Sequence, residues 1–118
     1  MDKDSWLRIF KLYKKYGLNH VRFHSWTPPA AAFDAADEVG LYVLCEIFWR
    51  DGWMGKGLNI DEVEPFLRPE LRRIADAYGN HPCLIAQAMG NELGGFDRNR
   101  MDSWIQEVKE HDPRHFYT

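Results

Sequence analysis

The apolar and polar positions of this chain alternate between a helical and a strand-like period. Apolar residues recur at helical spacing in residues 4–16, 29–40, 62–78 and 101–110. Gly17, Gly40 and Gly79 follow the first three of these segments, as expected of residues that end helices. Pro65 and Pro69 place the firm start of the third helix near Pro69. The pattern therefore predicts four helices.

Four shorter apolar segments lie between and after these helices. They cover residues 19–24, 41–48, 84–89 and 115–118. The first alternates, with Val21 and Phe23 on one face, and nearly continuous apolar runs such as residues 41–48 are typical of buried parallel strands. Regular alternation of helix and strand favours one parallel sheet with crossover helices. The predicted fold class is therefore α/β.

The chain length restricts which parallel fold this is. A complete (β/α)8 barrel needs roughly 250 residues, whereas this chain has 118. We interpret residues 1–118 as a single, incomplete domain, a partial TIM barrel containing about strands 2 to 4 with their helices. The alternative is a small doubly wound sheet, but neither a GxGxxG motif nor a phosphate-binding P-loop follows any predicted strand.

Composition narrows the classes of partner. The 18 acidic and 15 basic residues are mixed along the chain and give a net charge of −3, so we expect no nucleic-acid and no membrane partner. No apolar run approaches the roughly 18 residues that span a bilayer, and the first residues lack a signal-peptide pattern, which leaves the compartment open. Cys45 and Cys83 lie in apolar runs without a CxxC spacing, so we expect two buried thiols.

Residues suited to chemistry cluster at the ends of the predicted strands. In a (β/α)8 barrel the carboxyl ends of the strands form the active-site face. The candidates at these positions are Arg22, His24, Trp26, Glu46, Trp49, Asn91 and Glu92. Their convergence on one face predicts a binding or catalytic site there.

Glu92 is the candidate proton donor. It follows an apolar strand directly, and a carboxylate near apolar walls is costly unless it is paired or protonated. The adjacent Asn91 is suited to hydrogen-bond a substrate hydroxyl. A glycosidase also needs a second carboxylate. Glu46 is the other acid near a strand end, but no accompanying motif marks it as a nucleophile.

Each of the other candidates also has a purely structural interpretation. Arg22 is equally suited to pair with Glu46 or Glu92, and Glu46 is as suited to that pairing as to contacting a substrate. His24 has no second His at metal-ligand spacing, which disfavours a metal site.

The tryptophans leave two further alternatives open. Trp26, Trp49 and Trp53 are either loop anchors or platforms on which sugar rings stack, while Phe48 is assigned to the core. Platforms would favour a non-catalytic carbohydrate-binding piece. A third alternative is a chain without a function of its own, with exposed strand edges prone to association.

Two motifs resemble a known family. Residues 79–92 combine Asn80-His81-Pro82, an apolar strand and Gly90-Asn91-Glu92, and residues 17–26 are followed by a Pro pair and by Asp37-Glu38. Together they resemble glycoside hydrolase family 2, which contains β-galactosidases, β-glucuronidases and β-mannosidases. The resemblance covers nearly the whole chain, from the helix after barrel strand one to the start of strand five.

The resemblance implies a retaining, exo-acting β-glycosidase without a cofactor. It implies that Glu92 is the general acid/base, that Asn91 contacts the sugar 2-hydroxyl, and that Arg22 supports the catalytic carboxylates from below. The family's nucleophile belongs to strand seven and its β-sandwich domains precede the barrel, so the parent would supply both, and we expect the chain alone to be inactive.

The sequence departs from the family at two places. His24-Ser25-Trp26-Thr27 replaces the common Ser-His-Tyr-Pro. After Glu46 the chain lacks the carboxylate and His pair with which some family members hold magnesium, so we predict no metal.

Overall fold

The computed structural model describes residues 1–49, 60–93 and 97–118. Helices and strands alternate throughout these ranges, which confirms the predicted α/β class. In chain order the elements are α1 (Lys3–Lys15), β1 (His20–Phe23), α2 (Ala30–Val39), β2 (Tyr42–Glu46), α3 (Ile60–Tyr78), β3 (Leu84–Ala88), α4 (Arg98–His111) and β4 (Phe116–Tyr117).

The third helix starts earlier than predicted. The chain is already helical at Ile60, and Pro65 and Pro69 lie inside α3. A proline in a helix interior costs about 3 kcal/mol. The same helix buries an apolar face that includes Leu67 and Leu71, and burial of each such side chain contributes roughly 1.5–3 kcal/mol. With Ile74, which is also buried, the face contributes an amount comparable to the roughly 6 kcal/mol that two interior prolines cost. Packing therefore offsets the local preference of the prolines.

The four strands form one parallel sheet in the order β1-β2-β3-β4. One face is covered, and its buried side chains include Phe23, Val43, Cys45, Ile47, Leu84, Gln87 and Tyr117. On the opposite face Arg22, Tyr42 and Phe116 are about half exposed or more. A doubly wound sheet reverses its strand order and carries helices on both faces, and the described strands do neither.

Two side predictions have clear outcomes. Cys45 and Cys83 are both buried free thiols, as predicted. Phe48 was assigned to the core, but it is 60% exposed because it follows β2 on the uncovered side of the sheet. None of the described helices combines the length and the apolar character that crossing a membrane requires.

Asp112 connects the end of α4 to the turn before β3. Its side chain is 4% exposed and accepts hydrogen bonds of 2.8 Å from Nε and Nη2 of Arg114. Arg114 Nη1 in turn donates to Asn80 Oδ1 at 2.8 Å. The hydrogen bonds from Arg114 lower the pKa of Asp112 to about 2. The folded chain therefore favours the ionised carboxylate.

We predict that Asp112→Asn lowers the free energy of unfolding by about 2 kcal/mol at pH 7, because a shift of one pKa unit corresponds to 1.36 kcal/mol. The folded-state pKa lies below the unfolded value of 3.8. This contribution is therefore present above about pH 4 and is lost as the pH falls towards 2. Urea unfolding at pH 7, 4 and 3 measures it.

The exposed Asp34 provides the matched control. Asp34→Asn should leave both the stability and its acid dependence nearly unchanged. Equal acid dependence in wild type and Asp112→Asn would contradict the assignment.

Candidate functional site

A buried carboxylate lies at the carboxyl end of the sheet. Glu46 ends β2 and is 1% exposed. Its Oε1 accepts a hydrogen bond from Arg22 Nε at 2.5 Å and forms an ion pair with Arg22 Nη2, and its Oε2 accepts the backbone N–H of Ser25. Ser25 adopts a left-handed conformation, with φ 51°, directly after β1. These charge-assisted bonds compensate the carboxylate for its loss of water.

Arg22 links this carboxylate to Asn91. Its Nη2 donates to Asn91 Oδ1 at 2.8 Å. Arg22 belongs to β1, Glu46 to β2, and Asn91 follows β3. The structure thus brings three of the predicted site residues together, one from each of three neighbouring strands. The pairing of Arg22 with Glu46 is the structural alternative that the sequence left open.

The backbone at Gly90 determines where Asn91 and Glu92 lie. Gly90 has φ 136°, and the Asn91 N–H donates to the Trp49 carbonyl at 2.9 Å. A Cβ at position 90 would lie 2.2 Å from that carbonyl oxygen. Glycine is therefore required here for two reasons, the positive φ and the close approach of the Trp49 backbone.

Glu92 is more exposed than the sequence predicted. It was expected to be held near apolar walls, but its side chain is exposed. The reason is local: after Gly90 the chain leaves the strand, and Glu92 itself is left-handed with φ 53°. Glu92 thus lies just beyond the carboxyl end of β3, directly after Asn91.

Direct substrate contact was also predicted for Glu46 and Trp49, and burial argues against it for both. The Glu46 oxygens accept from protein donors inside the structure. Trp49 is 3% exposed, and its ring packs on Trp104 with centroids 5.7 Å apart. An indole gains more from burial against α4 than from remaining in water.

Trp26 is 47% exposed, but its ring does not stand over the Arg22 side of the sheet. The ring packs against Phe23, on the covered face, at 5.5 Å and against Trp6 of α1 at 6.3 Å. Its backbone does support the site, because the Trp26 carbonyl accepts the Glu46 N–H at 3.3 Å. Trp53 lies outside the described residues.

Two remaining residues complete the comparison with the sequence. His24 is exposed in the turn directly after β1. Ser25 was not among the predicted site residues. Its contribution is a backbone N–H in a left-handed turn, and no side-chain pattern marks such a position.

Within the described ranges, one group of side chains has metal-ligand chemistry, at the opposite end of β3. The ligand atoms of Asp37, His81 and Cys83 lie within 4.8 Å of one another. Asp37 already accepts His81 Nδ1 at 2.7 Å and the Cys83 N–H at 2.8 Å. Burial raises the pKa of the Cys83 thiol, which disfavours the thiolate a metal requires. These hydrogen bonds fit a structural role, in which the Asp37 side chain connects α2 to the residues that precede β3.

We predict that Gly90→Ala destabilises the chain by at least twice as much as Gly17→Ala. Both glycines have positive φ, but a Cβ at Gly17 would meet no atom within 4 Å. The Gly17 variant should therefore lose only the roughly 1–2 kcal/mol of left-handed strain. Urea unfolding of both variants provides the comparison, and equal losses would show that the Trp49 carbonyl imposes no constraint.

The comparisons with known proteins agree on one group of enzymes. No protein-family model matches the chain. The β-galactosidase of Pectobacterium atrosepticum is 30% identical over 117 residues, which is 96% of this chain and 11% of that enzyme. The β-galactosidase of Vibrio cholerae is 28% identical over the same shares of both chains. The chain thus spans about a tenth of the length of these relatives.

A solved structure shows the same fold. The β-glucuronidase of an uncultured Clostridium sp. superposes with a TM-score of 0.84 over 100% of this chain and 22% of its own, at 17% identity. At that identity the likeness concerns the fold alone. The chain is thus a homologue of the bacterial β-galactosidases with the fold of part of a β-glucuronidase, and its resemblance to glycoside hydrolase family 2 is confirmed.

Proposed function

We propose that this chain is part of the catalytic barrel of a larger retaining β-glycosidase, in which Glu92 is the general acid/base. The enzyme would hydrolyse O-glycosidic bonds at the non-reducing end of β-glycosides. One observation carries the proposal. Glu92 follows Asn91 at the carboxyl end of β3, and Asn91 is tied to the ends of β1 and β2 through Arg22 and Glu46.

The sheet supports the barrel part of the proposal. Its strands run in sequence order, and helices cover one face. In a (β/α)8 barrel the other face turns inward and is covered by the remaining strands. We place β1, β2 and β3 at barrel strands 2, 3 and 4. The parent's other strands and its β-sandwich domains would then be the partners of this chain.

The mechanism needs two carboxylates that act in turn. A nucleophilic carboxylate from a strand outside this chain attacks the anomeric carbon while Glu92 donates its proton to the departing glycosidic oxygen. Glu92, now ionised, then accepts a proton from water, and the oxygen of that water displaces the nucleophile from the anomeric carbon. The exposure of Glu92 suits this double role, because both the leaving oxygen and the water must reach it.

Asn91, Arg22 and His24 would contribute to substrate binding. Asn91 lies beside the acid and has an amide suited to a ring hydroxyl. Arg22 lies on the uncovered face, and His24 is exposed at the same edge. The alternative of a non-catalytic sugar-binding piece is less well supported, because Trp49 is buried and the Trp26 ring packs on the helix side.

We predict that Glu92→Gln in the full-length protein lowers kcat/KM on an alkyl β-glycoside by about 10²- to 10⁴-fold, the usual contribution of general acid catalysis. An aryl β-glycoside with an acidic phenol should lose less in its first step, because that leaving group needs little protonation. Steady-state and burst kinetics on both substrates test this.

The exposed Glu62 on α3 provides the matched control, and Glu62→Gln should leave both rates unchanged. Undiminished hydrolysis of the alkyl glycoside by Glu92→Gln would refute the assigned role.

We also predict that the purified 118-residue chain hydrolyses no β-glycoside. A general acid without its nucleophile loses the covalent route. A fluorogenic assay at high protein concentration measures this, with a folded far-UV circular dichroism spectrum as the control. Turnover that disappears in the Glu92→Gln version of the same chain would contradict the prediction and show that residues 1–118 are sufficient for catalysis.

A further inference from the structure

We propose that Glu46 is a positioning residue that sets the orientation of the Asn91 side-chain amide. It does so through Arg22, so that the amide NH₂ group of Asn91 faces the substrate. The contacts that carry this inference are present in the chain itself. Its consequence for catalysis rests on the function proposed above.

The orientation of the amide follows from the chemistry of its neighbour. A guanidinium group has N–H donors and no acceptor. The atom that Asn91 turns towards Arg22 Nη2, 2.8 Å away, must therefore be its oxygen. The NH₂ group then points away from Arg22.

Arg22 needs Glu46 to hold this position. Its side chain is 48% exposed, and an arginine side chain without a partner samples many rotamers. Glu46 fixes the guanidinium by accepting a hydrogen bond from Nε and by forming an ion pair with Nη2. The second carboxylate oxygen accepts the Ser25 N–H, so Glu46 is itself held against rotation. Ser25 therefore restrains Glu46, Glu46 restrains Arg22, and Arg22 restrains the Asn91 amide.

The fixed amide determines what the substrate must offer. An NH₂ group only donates, so its partner must be an acceptor, such as the oxygen of a ring hydroxyl. A sugar that lacks this hydroxyl would leave the donor without its bond. We infer that Glu46 contributes to discrimination between a hydroxylated sugar and its deoxy analogue, although Glu46 does not touch the sugar.

The first test is a double-mutant cycle in the full-length protein. Glu46→Gln, Asn91→Ala and the double variant are compared on an aryl β-glycoside and its 2-deoxy analogue. Glu46→Gln should lower kcat/KM about tenfold on the hydroxylated substrate and much less on the deoxy one. In the Asn91→Ala background, Glu46→Gln should cause little further loss, because its effect passes through Asn91.

Two other variants make the cycle decisive. Glu62→Gln removes the same charge at an exposed position and should leave kcat/KM unchanged on both substrates. Arg22→Lys keeps the positive charge but not the fork, and should reproduce the selective loss if Glu46→Gln fails to fold. The inference would be overturned if Glu46→Gln lowered kcat/KM equally on both substrates. It would also be overturned if Glu46→Gln lowered kcat/KM as much in the Asn91→Ala background as in the wild type.

A second measurement separates this inference from the proposed function. In the 118-residue chain, ¹⁵N relaxation of the Asn91 side-chain amide needs no catalysis. Glu46→Gln should lower its order parameter to below about 0.6, the range of flexible groups, while Glu62→Gln should leave it unchanged. An unchanged order parameter in folded Glu46→Gln would contradict positioning by Glu46. Loss of order without any effect of Glu92→Gln on hydrolysis would instead contradict the proposed function alone.

Discussion

The burial of one carboxylate organises the carboxyl end of this sheet. Glu46 is 1% exposed, and a buried charge without partners costs several kcal/mol. Two requirements follow from that cost. Arg22 must turn its guanidinium towards β2, and the turn after β1 must direct the Ser25 N–H inward, which needs the left-handed backbone found there. Removal of either donor would leave the charge incompletely compensated, so the ends of β1 and β2 are fixed to each other.

A second constraint extends this order to β3. The Trp49 carbonyl accepts the Asn91 N–H, and the close approach of that carbonyl excludes any side chain at Gly90. The Trp49 ring is anchored on Trp104 in α4. Asn91 is thus held through its backbone by the β2 loop and through its side chain by Arg22. These two attachments, one to β1 and one to the residue that follows β2 and Phe48, give the residue before Glu92 little freedom.

The sequence was informative where one strong signal dominated. The βα alternation and the buried cysteines follow from the apolar period, whereas charge left Glu46 and Glu92 as two alternative partners of Arg22. The direction of side chains just beyond a strand was not predictable, because the alternation of apolar and polar positions applies only within the regular strand. Phe48 is exposed and Trp49 buried although both are aromatic. The direction of these rings depends on whether a helix from a distant part of the chain packs against that side.

The same limit applies to the helix with two prolines and to Ser25. Local preference places the start of α3 near Pro69, but the apolar face that α3 buries depends on tertiary packing. Ser25 acts through its main chain, and a backbone N–H is the same for nearly every residue type. Gly90 shows the opposite case, since a positive φ and a close contact leave a visible requirement for glycine.

The burial of Glu46 also determines where a nucleophile must come from. A retaining glycosidase needs two carboxyl groups about 5 Å apart across the scissile bond, and neighbouring parallel strands lie about 4.8 Å apart. By spacing alone, Glu46 on β2 would be close enough to an acid that follows β3. Its oxygens instead accept from Arg22 and Ser25 beneath the surface, where an anomeric carbon does not reach them. Under the proposed function, the second carboxylate therefore approaches Glu92 across the uncovered face of the sheet, from strands outside this chain.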